Sequence, residues 1–237
     1  MENLSGFAWL ILQPLMLLAV YAFVFTTIFK ARIPDAGELG FVPYLAVAFW
    51  PWIAFSESIL RSTTAISANT ELISKVAFPG ELLPLSIVTA TFMMHMVGYL
   101  AVLVVLQLMG TDIHWIGLIM AIPLLLSMFV FASGIALFTS AMQVFVRDVA
   151  HFLPPLMTFW FFSTPILYSL SLLPDNWATL MKLNPMTWYV DRLRDFLLFG
   201  NYDLSAVDLL VPLFSILVFW ITLFFFRRFS GHFEDFL

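Results

Sequence analysis

Residues 82–111 read LLPLSIVTATFMMHMVGYLAVLVVLQLMGT, a run with no Asp, Glu, Lys or Arg. About 20 mostly apolar residues in a helix suffice to cross the ~30 Å hydrocarbon layer of a bilayer. A helix in a soluble core would show a polar face within that length, so the run reads as a membrane span. Three further charge-free stretches lie between Glu2 and Lys30, between Asp112 and Arg147, and between Asp148 and Asp175. Across 237 residues, 62% are hydrophobic and 11% charged. Soluble domains carry about a quarter charged residues. The chain therefore reads as an all-α integral membrane protein, a single transmembrane domain over residues 1–237.

Six spans are predicted, at about 7–29, 41–60, 83–109, 115–142, 152–172 and 207–226. The first is too long for the apolar core of a signal peptide and is read as retained. Pro51 interrupts the second span, and the fifth begins near Pro154-Pro155 and contains Pro165. Membrane helices tolerate such prolines where neighbours satisfy the freed carbonyls. Ala132, Ala136 and Ser140 form a small-residue stripe on the fourth span, suited to close helix approach or fortuitous in a run rich in small residues. Residues 173–206 hold seven charges and apolar clusters, and read as short interfacial helices. With both termini on one side, the positive charges divide five against five, so the positive-inside rule does not choose an orientation. Arg227-Arg228 directly abuts a span and leans towards cytoplasmic termini.

Several function classes lack their residues. There is no cysteine, hence no disulfide or thiolate chemistry. No basic run suits nucleic acid. The lysines are Lys30, Lys75 and Lys182, none after a glycine, so no nucleotide-binding P-loop exists. His95, His114, His151 and His232 fall in four different segments, which disfavours a metal site. His95 within a span is a candidate for function or for a bond to a neighbouring helix, and Glu57 a candidate or a plain helix-end carboxylate. Mid-span positions carry no acid–base series of the kind ion-coupled transporters use. An enzyme acting on lipid-linked sugars would need a constellation of carboxylates; DRLRD at 191–195 is the one candidate.

Aromatic residues are dense: 27 Phe, 8 Trp and 6 Tyr. Interfacial belts explain most of them. Clusters at Trp9, Tyr21, Phe23 and Phe25, at Tyr44, Phe49, Trp50, Trp52 and Phe55, and at Phe159, Trp160, Phe161, Phe162 and Tyr168 exceed what a belt needs. Aromatic faces stack on the C–H faces of sugars, so these clusters could line a glycan channel.

Before the quoted run stands ELISKVAFPGE, residues 71–81. Asn69 can cap a helix opening at Thr70 and Glu71. Glu71 and Lys75 stand four apart in the favourable order, while Leu72, Ile73 and Val76 share a face. Phe78 precedes Pro79, which pushes it out of helical geometry, and Gly80 permits a turn. Glu81 then faces the positive end of the next span. The product is a two-turn amphipathic helix on a stiff joint, either packed on its own spans or the lipid surface, or plugged into a soluble partner.

KVAFPGELLPL at 75–85 resembles a signature of type-2 ABC exporter permeases, the membrane subunits that export O-antigen, capsule and teichoic-acid polymers. Gly6, Trp9, Leu12, Pro14 and Leu15 match the family's first span, VRDV at 146–149 its loop before the fifth, and LNPMTWYVDRLRDFLLFG at 183–200 its Asn-Pro segment with Asn184, Pro185 and Arg192. The family usually opens with a basic interfacial helix; here MENLS alone precedes Gly6, which points to a truncated or misassigned start. The resemblance implies a homodimer in the bacterial inner membrane, paired with two copies of a separate ATPase that holds ATP and Mg. It implies that residues 69–78 are the coupling helix, through Asn69, Glu71, Leu72, Ile73, Lys75, Val76, Phe78 and Pro79. It implies outward-facing short helices in 173–206, and a pore lined from the first, second and fifth spans. The cargo expected is a lipid-linked polysaccharide; the rival readings are a membrane enzyme on lipid-linked sugars and a small-molecule exporter of the same family.

Overall fold

The computed structural model of the chain describes residues 3–30, 39–71, 78–233 and 236, with side chains from Leu12 onward. Among the described residues the secondary structure is helical throughout. The helices are α1 (Asn3–Phe23), α2 (Phe41–Ser62), α3 (Leu82–Leu108), α4 (Trp115–Phe145), α5 (Val149–Phe162), α6 (Asp175–Lys182), α7 (Pro185–Arg194) and α8 (Val207–Ser230). Two π-helical turns, Val24–Ile28 and Asp195–Phe199, prolong α1 and α7. The predicted short helices of 173–206 are α6 and α7.

Among the described residues three helices, α3, α4 and α8, are long and apolar enough to cross a bilayer. The other three predicted spans each carry a local feature of their own. Helix α2 carries Glu57 and Arg61 near its end, joined as an i,i+4 ion pair at 3.2 Å. Helix α1, 21 residues, runs on into the π-helical turn, where the Phe29 amide donates to the Val24 carbonyl, so it follows the predicted first span. Helix α5 corrects the predicted fifth span of 152–172: it starts earlier, at Val149, and stops at Phe162. Its 14 residues give a rod of about 21 Å, short of the ~30 Å layer. The stop has a local cause. Pro165 disfavours helical geometry at Thr164, and the Thr164 hydroxyl turns back to donate to the Trp160 carbonyl.

Contacts divide the chain into two compact units. One comprises Met1–Ile53, Met94–Ile122 and Trp160–Asp203; the other Ala54–Met93, Pro123–Phe159 and Leu204–Leu237. Within lipid, helices gain little from apolar burial alone, so close backbone approach and interhelical hydrogen bonds decide packing. In the first unit the Trp50 indole lies against Gly98 so closely that a Cβ there would stand 2.5 Å from the ring. Its N–H donates to the His95 carbonyl at 2.8 Å, and the Tyr99 hydroxyl to the Val47 carbonyl at 3.0 Å. Gly117 meets the backbone carbonyl of Phe196, where any Cβ would collide. In the second unit Gly134 of α4 faces the backbone of Phe219 in α8. Ala132, Ala136 and Ser140 are fully buried, and the Thr63 hydroxyl donates to that of Thr139 at 3.3 Å. Ile66, Leu137, Ala141, Val144, Leu223, Phe226 and Phe233 form an apolar cluster there.

Candidate functional site

The aromatic clusters that lie apart in sequence meet around Phe161 of α5. Tyr21 stacks on it at 6.0 Å between centroids and meets Phe49 edge-on at 5.7 Å. Phe49 stands edge-on to Phe161 at 6.0 Å, and Trp52 contacts both Phe161 and Trp160. Each such pair contributes about 0.5–1.5 kcal/mol beyond its burial. Phe25 stacks on Phe41 at 5.1 Å. The candidates then separate by access. Tyr44, Phe49, Trp50 and Trp52 are buried within the chain, and Trp50 is committed to His95 and Gly98. Tyr21, Phe25, Trp160 and Tyr168 are partly exposed, and the Tyr168 hydroxyl donates to the Phe162 carbonyl. Phe159 and Phe162 stand open, at 69% and 55% of full exposure. The Trp9 side chain lies outside the described residues.

DRLRD at 191–195 proves to be a clamp. The Arg194 side chain is 2% exposed. Its guanidinium donates to the carbonyls of Tyr44 at 3.2 Å, Pro165 at 2.8 Å and Ile166 at 2.9 Å, and lies 3.5 Å above the Tyr44 ring. The carbonyls freed where α5 breaks off at Pro165 thus receive donors from α7. Burial pulls the guanidinium below its ordinary pKa, and Tyr44 and Asp191 oppose that pull; an arginine stays charged regardless. Arg192 pairs with Asp195 at 3.0 Å, donates to the Asp203 carbonyl and lies over Phe196. Asn184 completes the join. Its amide donates to the Ser163 carbonyl and the Thr164 hydroxyl, while its oxygen accepts from the Trp160 indole and the Met186 amide. It therefore caps α7 and secures the end of α5 at once. The arginines of 191–195 thus serve the backbone, and Asp191 and Asp195 pair with them.

The expected coupling segment lies in the second unit. Asn69, expected as a helix cap, instead ends a 3-10 turn, Ser67–Asn69, and its amide donates back to the Ala65 carbonyl. The turn runs straight into helical Thr70 and Glu71, so no extended capping residue intervenes. Leu72, Ile73, Lys75 and Val76 lie outside the described residues. Phe78 and Pro79 are exposed. After them Gly80 rests on the Phe226 ring of α8. Glu81 is paired with Arg227 at 2.9 Å, a partner that sequence did not disclose. A carboxylate at the start of one span and a basic pair at the end of another were the available signal. Among the described residues, no group of three or more His, Asp or Glu could hold a metal.

Residues 2–198 match the model of a family described as ABC-2 type transporter. The chain belongs to the ABC-2 type transporter family. The ABC-2 match runs from α1 into the π-helical turn after α7, taking in the aromatic cluster, the joint and the clamp. Among the curated relatives, the O-antigen export system permease protein RfbA of Myxococcus xanthus is 32% identical over 183 residues, 76% of this chain and 68% of that protein. Two Klebsiella pneumoniae proteins of the same name are each 25% identical, over 213 and 211 residues. Those alignments cover 88% and 87% of this chain and 79% and 78% of theirs. As an ABC-2 membrane chain with three helices, among the described residues, long and apolar enough to span, it is an integral membrane protein.

Proposed function

We propose that this chain is the permease subunit of an ATP-driven exporter of a lipid-linked polysaccharide, O-antigen or a similar cell-surface glycan, across the bacterial inner membrane. The observation that carries the reading is the similarity to O-antigen export permeases over 76% and 88% of the chain. Two copies pair with two copies of a separate ATPase, which holds ATP and Mg. The chain crosses the membrane six times with both termini in the cytoplasm, the fifth crossing being completed beyond α5 by the turn and 3-10 segment of 163–172. Residues 69–78 dock on the ATPase, and closure of the ATPase drives the joint at Phe78-Pro79-Gly80. The push enters α3 directly and α8 through Glu81–Arg227. The exposed aromatic face of Phe162, with the partly exposed Tyr21 and Trp160, offers a sliding surface for sugar rings. Such stacking is sequence-tolerant and weak per ring, which suits passage rather than capture.

Deleting the gene should strip the polymer from the cell surface while lipid-linked polymer accumulates at the inner membrane, and a plasmid copy should restore export. An intact surface polymer in the deletion strain would reject the polysaccharide reading in favour of a small-molecule cargo.

A further inference from the structure

The second unit holds a half-open cavity of about 450 Å³, of mixed polar and apolar lining, between the turn at Thr64–Thr70 and the loop at 143–151, with Arg147 and His151 exposed at it. Its lining includes Thr64, Ser67, Thr70, Gln143, Arg147 and His151. The loop spends its backbone internally. The Gln143 amide donates to the Arg147 carbonyl at 3.0 Å, and its oxygen accepts from the Ala150 amide at 2.8 Å. The amides of Val149, His151 and Phe152 bond to the Val146 and Asp148 carbonyls. The start of α5 therefore offers the cavity no free amide. What remains is side-chain chemistry. Among the described residues, neither the Arg147 guanidinium, nor the His151 ring, nor the Thr64 hydroxyl has a hydrogen-bond or ion-pair partner. The neighbouring Asp148 carboxylate is not part of the lining.

We propose that this cavity is a binding site for a phosphate group. A guanidinium presents donors in a planar fork that matches two phosphate oxygens, and an imidazole N–H and a hydroxyl can serve the third. The volume falls in the range of small-ligand pockets and exceeds what a lone carboxylate would fill. The phosphate can come from a lipid headgroup, either a phosphodiester or the diphosphate of a carrier lipid, or from a free anion. The site does not depend on the cargo proposed above, because binding is measured apart from export.

The test uses the full-length chain in detergent micelles and native mass spectrometry with three probes: phosphatidylglycerol, a short-chain polyprenyl diphosphate and inorganic pyrophosphate. At least one should bind saturably, and R147Q/H151Q should weaken it at least tenfold. R228Q removes an exposed cation outside the cavity and should leave binding unchanged. Preference for the lipid-borne probes assigns the site to a headgroup, and equal binding of pyrophosphate assigns it to a free anion; both uphold the phosphate site. The proposal fails if no probe distinguishes the native chain from R147Q/H151Q. It also fails if an added ATPase subunit, but no phosphate probe, shields Arg147 from phenylglyoxal.

Discussion

Arg194 illustrates how one side chain can decide where a helix ends. Three carbonyls accept from its guanidinium, two of them freed by the break at Pro165. Removing the donor leaves buried acceptors unsatisfied, at about 1–3 kcal/mol for each group. Arg194→Met should therefore destabilise the chain by about 3 kcal/mol or more, read as a fall in the thermal midpoint of the detergent-solubilised protein. Arg194→Lys should rescue little, because an ammonium lacks the planar fork and stacks poorly on Tyr44. Full stability in the lysine variant would contradict the clamp. The sequence marks 191–195 as dense in charge. It does not say whether those charges work on a substrate or on the backbone, since the carbonyls they serve lie 28, 29 and 150 residues away. Gly117 is equally silent. A lone glycine in an oily run does not reveal which backbone it faces.

At the scale of elements, spans are legible where a charge-free run coincides with unbroken helix, as in α3, α4 and α8. There, hydrocarbon thickness and helical rise dictate the length. Helix α5 departs from its predicted bounds because proline acts differently by context. Pro51 stays inside α2, and Pro154-Pro155 inside α5, while Pro165 closes a helix whose freed carbonyls find donors on α7. Composition treats all four alike. The joint before α3 is legible as a kink but without its anchor, Arg227. Arg227 is 61% exposed, so the pair should contribute only about 0.2–1 kcal/mol to stability. R227E should accordingly leave the thermal midpoint nearly unchanged while lowering transport per ATP hydrolysed, as two carboxylates then repel at the joint. The double variant E81R/R227E should regain coupling. A charge swap that fails to rescue, or a single reversal that exports at the native rate, would remove this pair from the transmission.

For the whole molecule, physics and family divide the labour. Composition alone places the chain in the membrane, and the missing phosphate-binding loop implies that any ATP-driven work must be powered from outside. The cargo and the partner come from resemblance, because apolar helices of this kind suit many transported molecules. The central claim is that a partner's ATP hydrolysis, received through residues 69–78, moves a lipid-linked glycan across the bilayer. The direct measurement is reconstitution of the permease with its ATPase in vesicles preloaded on one leaflet with lipid-linked glycan. Glycan reaching the other leaflet is read by accessibility to a membrane-impermeant lectin. The account predicts ATP-dependent appearance of glycan, abolished when Leu72 and Ile73 are both replaced by Asp. Glycan that crosses without the ATPase, or crosses undiminished in the Leu72→Asp, Ile73→Asp variant, would contradict it.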